Sequence, residues 1–179
     1  PELAHTTRMP CTAAGAAAHT HASAHGPYLH CRPLTDPGDE VLLPDPEWPP
    51  AEGNILAAQG VPVGYKLYES NGWQPDLDEI ESQVTPKTKI LYLNSPNNPT
   101  GGVLTLAYLE RLAAIAQTHD LWVISDEAYE DVVFDGEHIS IASFPGMYQL
   151  PIPLSTFSKY YAMTGLRLGS IAIRDAGVR

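Results

Sequence analysis

Lys159 and Arg167 stand eight positions apart in the run Ser155-Thr-Phe-Ser-Lys-Tyr-Tyr-Ala-Met-Thr-Gly-Leu-Arg-Leu-Gly169, surrounded by hydroxyls and glycines. A lysine amine can form an imine with a carbonyl, and a guanidinium offers the planar donor fork that suits phosphate. Thr156 and Ser158 add hydroxyl donors between them. Together these are the means of holding a phosphorylated aldehyde, which points to pyridoxal 5'-phosphate. Taken alone, the segment reads equally well as a solvated turn.

Two further segments change that balance. Asn94-Ser-Pro-Asn-Asn-Pro-Thr-Gly101 follows the apolar run Ile90 to Leu93 and precedes a helical pattern, which places it at the end of a strand. Ser125-Asp-Glu-Ala-Tyr129 follows the apolar run Leu121 to Ile124 and sits at a second strand end. Open α/β sheets bind their ligands at such ends. A carboxylate directly after an apolar strand, as at Asp126, needs a partner if it is not to be buried unpaired, although a helix-capping aspartate is the plainer alternative.

Asn-Pro-Thr-Gly, Ser-Asp-Glu-x-Tyr and Ser-Lys-x7-Arg-x-Gly together resemble the class I/II, fold type I pyridoxal-phosphate aminotransferases. Asn98 to Asp126 spans 28 residues, Asp126 to Tyr129 three and Lys159 to Arg167 eight, in agreement with that resemblance. It covers Leu34 to the end of the chain. It implies that Lys159 carries the cofactor as an imine and moves the proton at the substrate Cα. It implies that Asp126 pairs with the pyridine nitrogen so that the ring accepts electrons. Asn98 and Tyr129 would hydrogen-bond the phenolic oxygen, while Thr156, Ser158 and Arg167 would hold the phosphate. Trp48, in Pro44-Asp-Pro-Glu-Trp-Pro-Pro50, falls where similar enzymes stack an aromatic ring on the cofactor, though a tryptophan in a proline-rich turn is also ordinary packing. The resemblance further implies a cis Asn98–Pro99 bond.

The implied reaction is transfer of an amino group between an amino acid and a 2-oxo acid, with aspartate among the candidate donors. A carbon–sulfur β-lyase, an aminocyclopropane-carboxylate synthase and a catalytically incompetent fragment are alternatives compatible with the same residues. The implied fold is α/β, a partial large domain with a mainly parallel sheet and helices on both faces, and the implied assembly is a homodimer.

Composition bounds the rest. The 179 residues are 44% hydrophobic and 17% charged, enough for one core. Ten basic against 21 acidic residues give a net charge of −11, which argues against nucleic acid or an anionic membrane as partner. Cys11 and Cys31 make neither a metal spacing nor a disulfide framework, and no signal-peptide stretch is legible, so a cytoplasmic location is the default expectation.

Strands and helices alternate along the chain, as in a parallel sheet covered on both faces. Strands are expected near 38–43, 61–67, 90–93, 121–124, 153–157 and 170–173. Asp76 to Val84 predicts a short helix capped by Asp76, with Leu77, Ile80 and Val84 on one face. Leu106, Leu109, Leu112, Ala113 and Ala116 predict a longer one over 105–119, with Thr105 as cap.

Residues 1–33 differ from the rest. They hold five of the seven histidines (His5, His19, His21, His25 and His30) and show almost no apolar period. His19-Thr-His21-x3-His25 would ligate a metal only on a strand or helix that orients it, and none is legible there, so no metal is expected. Similar enzymes place a phosphate-binding turn and helix start here, for which Ala14-Gly15-Ala16 is a poor substitute; a misassigned start is the expectation. Residues 34–179 then read as the central part of the large domain. The resemblance implies a C-terminal small domain beyond Arg179, with a carboxylate-clamping arginine that none of Arg8, Arg32, Arg111, Arg174 or Arg179 matches.

Overall fold

The computed structural model describes residues 16–20, 26–147 and 151–173. Eight strands form one sheet: β1 (Ala16–Thr20), β2 (Glu40–Asp45), β3 (Val61–Tyr68), β4 (Gln74–Pro75), β5 (Thr88–Asn94), β6 (Trp122–Asp126), β7 (Pro151–Thr156) and β8 (Gly169–Ile173). Their order is β1-β8-β7-β6-β5-β2-β3-β4. The five central strands from β7 to β3 run parallel, while β8, β1 and β4 pair antiparallel at the margins. The expected mainly parallel sheet is therefore present.

Among the described residues four α-helices accompany the sheet: α1 (Gly26–Leu34), α2 (Pro49–Ala57), α3 (Leu77–Gln83) and α4 (Leu106–Thr118). Side chains of a strand point alternately to opposite faces, and the two cores follow that period. Leu42, Leu91, Leu93 and Val123 join Ile80 of α3 and Leu109, Leu112 and Ala116 of α4. Val41, Leu43, Ile90, Tyr92 and Ile124 face the other way, toward Cys31 of α1 and Ala51 and Ile55 of α2. Strands buried on both faces read as continuous apolar runs, which is why Ile90 to Leu93 is legible as a strand.

Asp76 caps α3 as its sequence implies, its carboxylate accepting from the Asp78 and Glu79 amides at 3.0 and 3.1 Å. Thr105 precedes α4 but its hydroxyl makes no capping bond, a correction to the expected role. Its amide instead donates to Gln74 Oε1 at 3.3 Å, so a tertiary partner from β4 fixes the start of this helix.

A second correction concerns the first 33 residues, where a strand and most of a helix are present. β1 is a margin strand held by backbone pairing to β8, with Ala16 opposite Ile173 and Thr20 opposite Gly169. Such pairing needs no apolar period, so the sequence pattern did not announce it. α1 packs Tyr28, Cys31 and Leu34 toward the second core despite Pro33 in its last turn. Burial pushes the Cys31 thiol up to about 12. His19 lies on β1, whereas His5, His21, His25, Cys11, Arg8, Arg174, Arg179 and Ala14-Gly15 lie outside the described residues.

Candidate active site

The carboxyl ends of the parallel strands converge on one cleft. Asn94 closes β5 and lies in register with Asp126, which closes β6. Thr156 closes β7, and Glu47 and Trp48 follow β2 into the start of α2. A cleft lined by Trp48, Asn94, Asn98, Asp126, Ala128, Tyr129 and Lys159 results. Five of the sequence-predicted residues thus meet there, drawn from positions far apart along the chain.

Asp126 is only 5% exposed. Tyr92 donates its hydroxyl to Oδ2 at 3.0 Å, and the Ala128 amide donates to Oδ1 at 3.0 Å. Burial pushes this carboxyl up to about 6, against the opposing pull of those two bonds and of the Lys159 charge. Near neutral pH the group is held mainly as an oriented anion. Lys159, on the turn after β7, places Nζ 4.9 Å from the centre of the Tyr129 ring, a cation over an aromatic face.

The Asn94–Gly101 loop is fixed by its own bonds. Asn97 Oδ1 accepts from the Thr100 amide at 3.1 Å and from Thr100 Oγ1 at 2.8 Å. The Asn97 amide donates to the Gly102 carbonyl at 2.9 Å and the Gly101 amide to the Asn97 carbonyl at 2.8 Å. The Asn98–Pro99 bond is cis, as are Ser95–Pro96 and Asp45–Pro46. Gly102 is required by space: a Cβ there would sit 2.8 Å from Trp73 Cβ.

Thr156, Ser158 and Arg167 lie outside the lining of the cleft, on the turn that carries Lys159 and its return to β8. The Ser158 amide donates to Thr156 Oγ1 at 3.2 Å. Arg167 adopts a left-handed backbone with φ 51°, and its Nη1 donates to the Thr164 carbonyl at 3.1 Å. Ser158 is 7% exposed, yet its Oγ has no hydrogen-bond partner. A buried hydroxyl left unpaired is costly, and a phosphate oxygen would satisfy it. Amine, carboxylate, phenol, amide, hydroxyl and guanidinium are thus all present for pyridoxal phosphate, and the residues fit the group.

Several site residues escaped the sequence reading. Glu47 Oε1 accepts from Asn94 Nδ2 at 2.6 Å and its Oε2 from Asn97 Nδ2 at 3.1 Å, tying the β2 loop to the β5 loop. Burial raises Glu47 to about 8, opposed by its bonds to the Trp48 amide and the two asparagines. Tyr92 lay hidden inside an apolar run, where only its alternation onto the Asp126 face could have marked it. Glu47 left no signal beyond a carboxylate among prolines.

Comparison with known proteins agrees with this geometry. The family model for aminotransferase class I and II matches residues 7–179. The aromatic-amino-acid aminotransferase 2 of Thermococcus litoralis is 47% identical over 135 residues, covering 75% of this chain and 35% of the relative. The aspartate aminotransferase of Pyrococcus abyssi is 47% identical over 136 residues, again 75% and 35%. The solved aromatic aminotransferase of Pyrococcus horikoshii superposes with a TM-score of 0.92 at 36% identity, covering 96% of this chain and 46% of that one. The chain therefore spans about a third of the curated relatives' length and less than half of the solved structure's. Members of this family depend on pyridoxal phosphate. With its motifs meeting at the strand ends and its sheet superposing on solved aminotransferases, this chain belongs to the aminotransferase class I and II family.

Proposed function

We propose that this chain is the cofactor-holding part of an aminotransferase that exchanges an amino group between an amino acid and a 2-oxo acid. The observation that carries the reading is the meeting of Lys159, Asp126, Tyr129, Asn98 and Trp48 at one cleft, with Asp126 buried and oriented by two donors. When bound, the cofactor supplies an electron sink for the pair released as the substrate Cα loses its proton.

The chain's own residues divide the remaining work. Lys159 would hold the cofactor and move the proton at the substrate Cα. Asp126 sets the pyridine nitrogen, and Tyr92 with the Ala128 amide keeps that carboxylate aimed. Tyr129 and Asn98, which line the cleft, would hold the phenolic oxygen, and Trp48 would pack against the cofactor ring. Ser158, Thr156 and Arg167 would hold the phosphate, with the unpaired Ser158 hydroxyl as the most ready donor. Relatives matched over this same stretch are named for aromatic amino acids, aspartate, arginine and alanine. The segment accordingly carries the shared chemistry, with aspartate one donor to test among several. In this reading the whole protein works as a cytoplasmic homodimer.

The test is an absorbance spectrum with added pyridoxal phosphate, before and after borohydride, followed by peptide mapping. A visible band and a reduced adduct on Lys159 are expected, and Lys159→Ala should lose both. An adduct that persists in Lys159→Ala would overturn the assignment.

A further inference from the structure

On the far side of the Asp126–Tyr129 turn, three side chains outside the cleft converge. One ligand atom each from Glu127, Glu130 and His138 lie within 4.8 Å of one another, and among the described residues this is the group of three that does so. Glu127 is fully enclosed, with 0% of its side chain exposed, and His138 has 9%. Glu127 Oε2, Glu130 Oε2 and both ring nitrogens of His138 are buried without a hydrogen-bond partner. Buried polar atoms without a hydrogen bond are rare; here His138 Nε2 and Glu127 Oε2 have only each other, at 3.4 Å, and Glu130 Oε2 and His138 Nδ1 have no partner, which demands an explanation.

The other half of each carboxylate is already held. Ser125 and Ser140 donate their hydroxyls to Glu127 Oε1 at 2.9 and 2.7 Å. Ser155 donates to Glu130 Oε1 at 2.7 Å. Hydroxyls thus fix one oxygen of each carboxylate and leave Oε2 of each without a hydrogen bond, Glu127 Oε2 beside the imidazole, which is how outer partners orient the ligands of a metal. His138 Nε2 lies 3.4 Å from Glu127 Oε2, long for a charge-assisted hydrogen bond. It equals the ~3.3–3.4 Å edge of a tetrahedron whose metal–ligand bonds are ~2.0–2.1 Å.

Charge points the same way. One enclosed and one half-buried carboxylate stand beside one imidazole, and among the described residues no lysine or arginine pairs with either. A divalent cation would neutralise both at once. We propose that Glu127, Glu130 and His138 form a binding site for a divalent cation of the zinc type, through Oε2, Oε2 and Nε2, with water completing the tetrahedron. The site is separate from the cofactor cleft. Through Glu127 and Glu130 it braces the turn that carries Asp126 and Tyr129.

Zinc titration of the chelator-treated 179-residue chain, read by calorimetry and by bound-metal content, tests this. One equivalent should bind to the wild-type chain and to a chain with His19, His21 and His25 all changed to Gln. His138→Gln and Glu130→Gln should each weaken that equivalent at least ~100-fold, and Ser155→Ala should weaken it ~10–100-fold. Circular dichroism confirms that each variant folds. No saturable uptake by the wild-type chain would overturn the proposal, with the cluster then holding a proton shared between His138 and a carboxylate. Uptake unchanged in folded His138→Gln, or in folded Ser155→Ala if His138→Gln fails to fold, would equally overturn it.

Discussion

Replacing Glu47 by Gln should change how the stability of the cofactor-free chain depends on pH. Burial raises this carboxyl from 4.5 to about 8 in the folded chain. As pH rises past 4.5 the unfolded chain loses its proton first, so the folded state is penalised progressively until about pH 8. Stability that is fully present below pH 4.5 is therefore lost over that window. Each pH unit within it costs about 1.4 kcal/mol for one such group, so the wild-type chain should lose roughly 3 kcal/mol from Glu47 between about pH 5.5 and 8.5. Asp126 and Glu130, raised to about 6 and about 7 by burial, act in the same direction but finish titrating at lower pH.

Glutamine removes the titration and adds a smaller, constant cost. Both oxygens of Glu47 accept, and Asn97 cannot turn its amide around because Thr100 occupies its Oδ1. A glutamine at this position has a single acceptor oxygen and keeps only one of the two bonds, which costs about 1 kcal/mol. Glu47→Gln should thus be the less stable chain near pH 4, by about 1 kcal/mol, close to wild type near pH 5.5, and the more stable chain near pH 8.5, by roughly 3–4 kcal/mol. Urea unfolding at several pH values, with equal m values, measures both differences. Parallel stability curves for the two chains would refute the reasoning, because they would mean that Glu47 is no more burdened by burial than an exposed carboxylate.

Other perturbations probe separate parts of the structure. Tyr92→Phe removes the hydroxyl that Asp126 Oδ2 accepts, and should raise the Asp126 value above about 6 while costing about 1.5–3 kcal/mol; carboxyl NMR titration and urea unfolding check the two effects. Asp76→Ala strips the cap from α3 and should cost about 1 kcal/mol by urea unfolding, whereas Thr105→Ala, which removes a hydroxyl that makes no cap, should fall within about 0.5 kcal/mol of wild type. Gly102→Ala drives a methyl against Trp73 Cβ, 2.8 Å away, and should cost about 1–3 kcal/mol, seen as a lower urea midpoint.

The sequence by itself determined the chemistry and much of the central framework. Apolar runs ending in Asn94 and Asp126 announce strands buried on both faces, and a ligand site at their ends follows from how parallel sheets are built. A lysine, an acid, a phenol and an arginine at spacings that resemble those of class I/II aminotransferases pointed to the cofactor. Asp76 could be read as a cap because capping is local, needing only the two amides that follow it.

Tertiary structure decided whatever depends on partners distant in the chain. Gln74 reached the Thr105 amide across 31 positions, and Glu47 reached Asn94 and Asn97 across 47 and 50. β1 exists because β8 offers it a backbone edge, a pairing that leaves no mark in side-chain type. Glu127, Glu130 and His138 are ordinary polar residues when met along the sequence. Only folding removes the water around them, and only then do two carboxylates and an imidazole become groups that must find a cation or a proton.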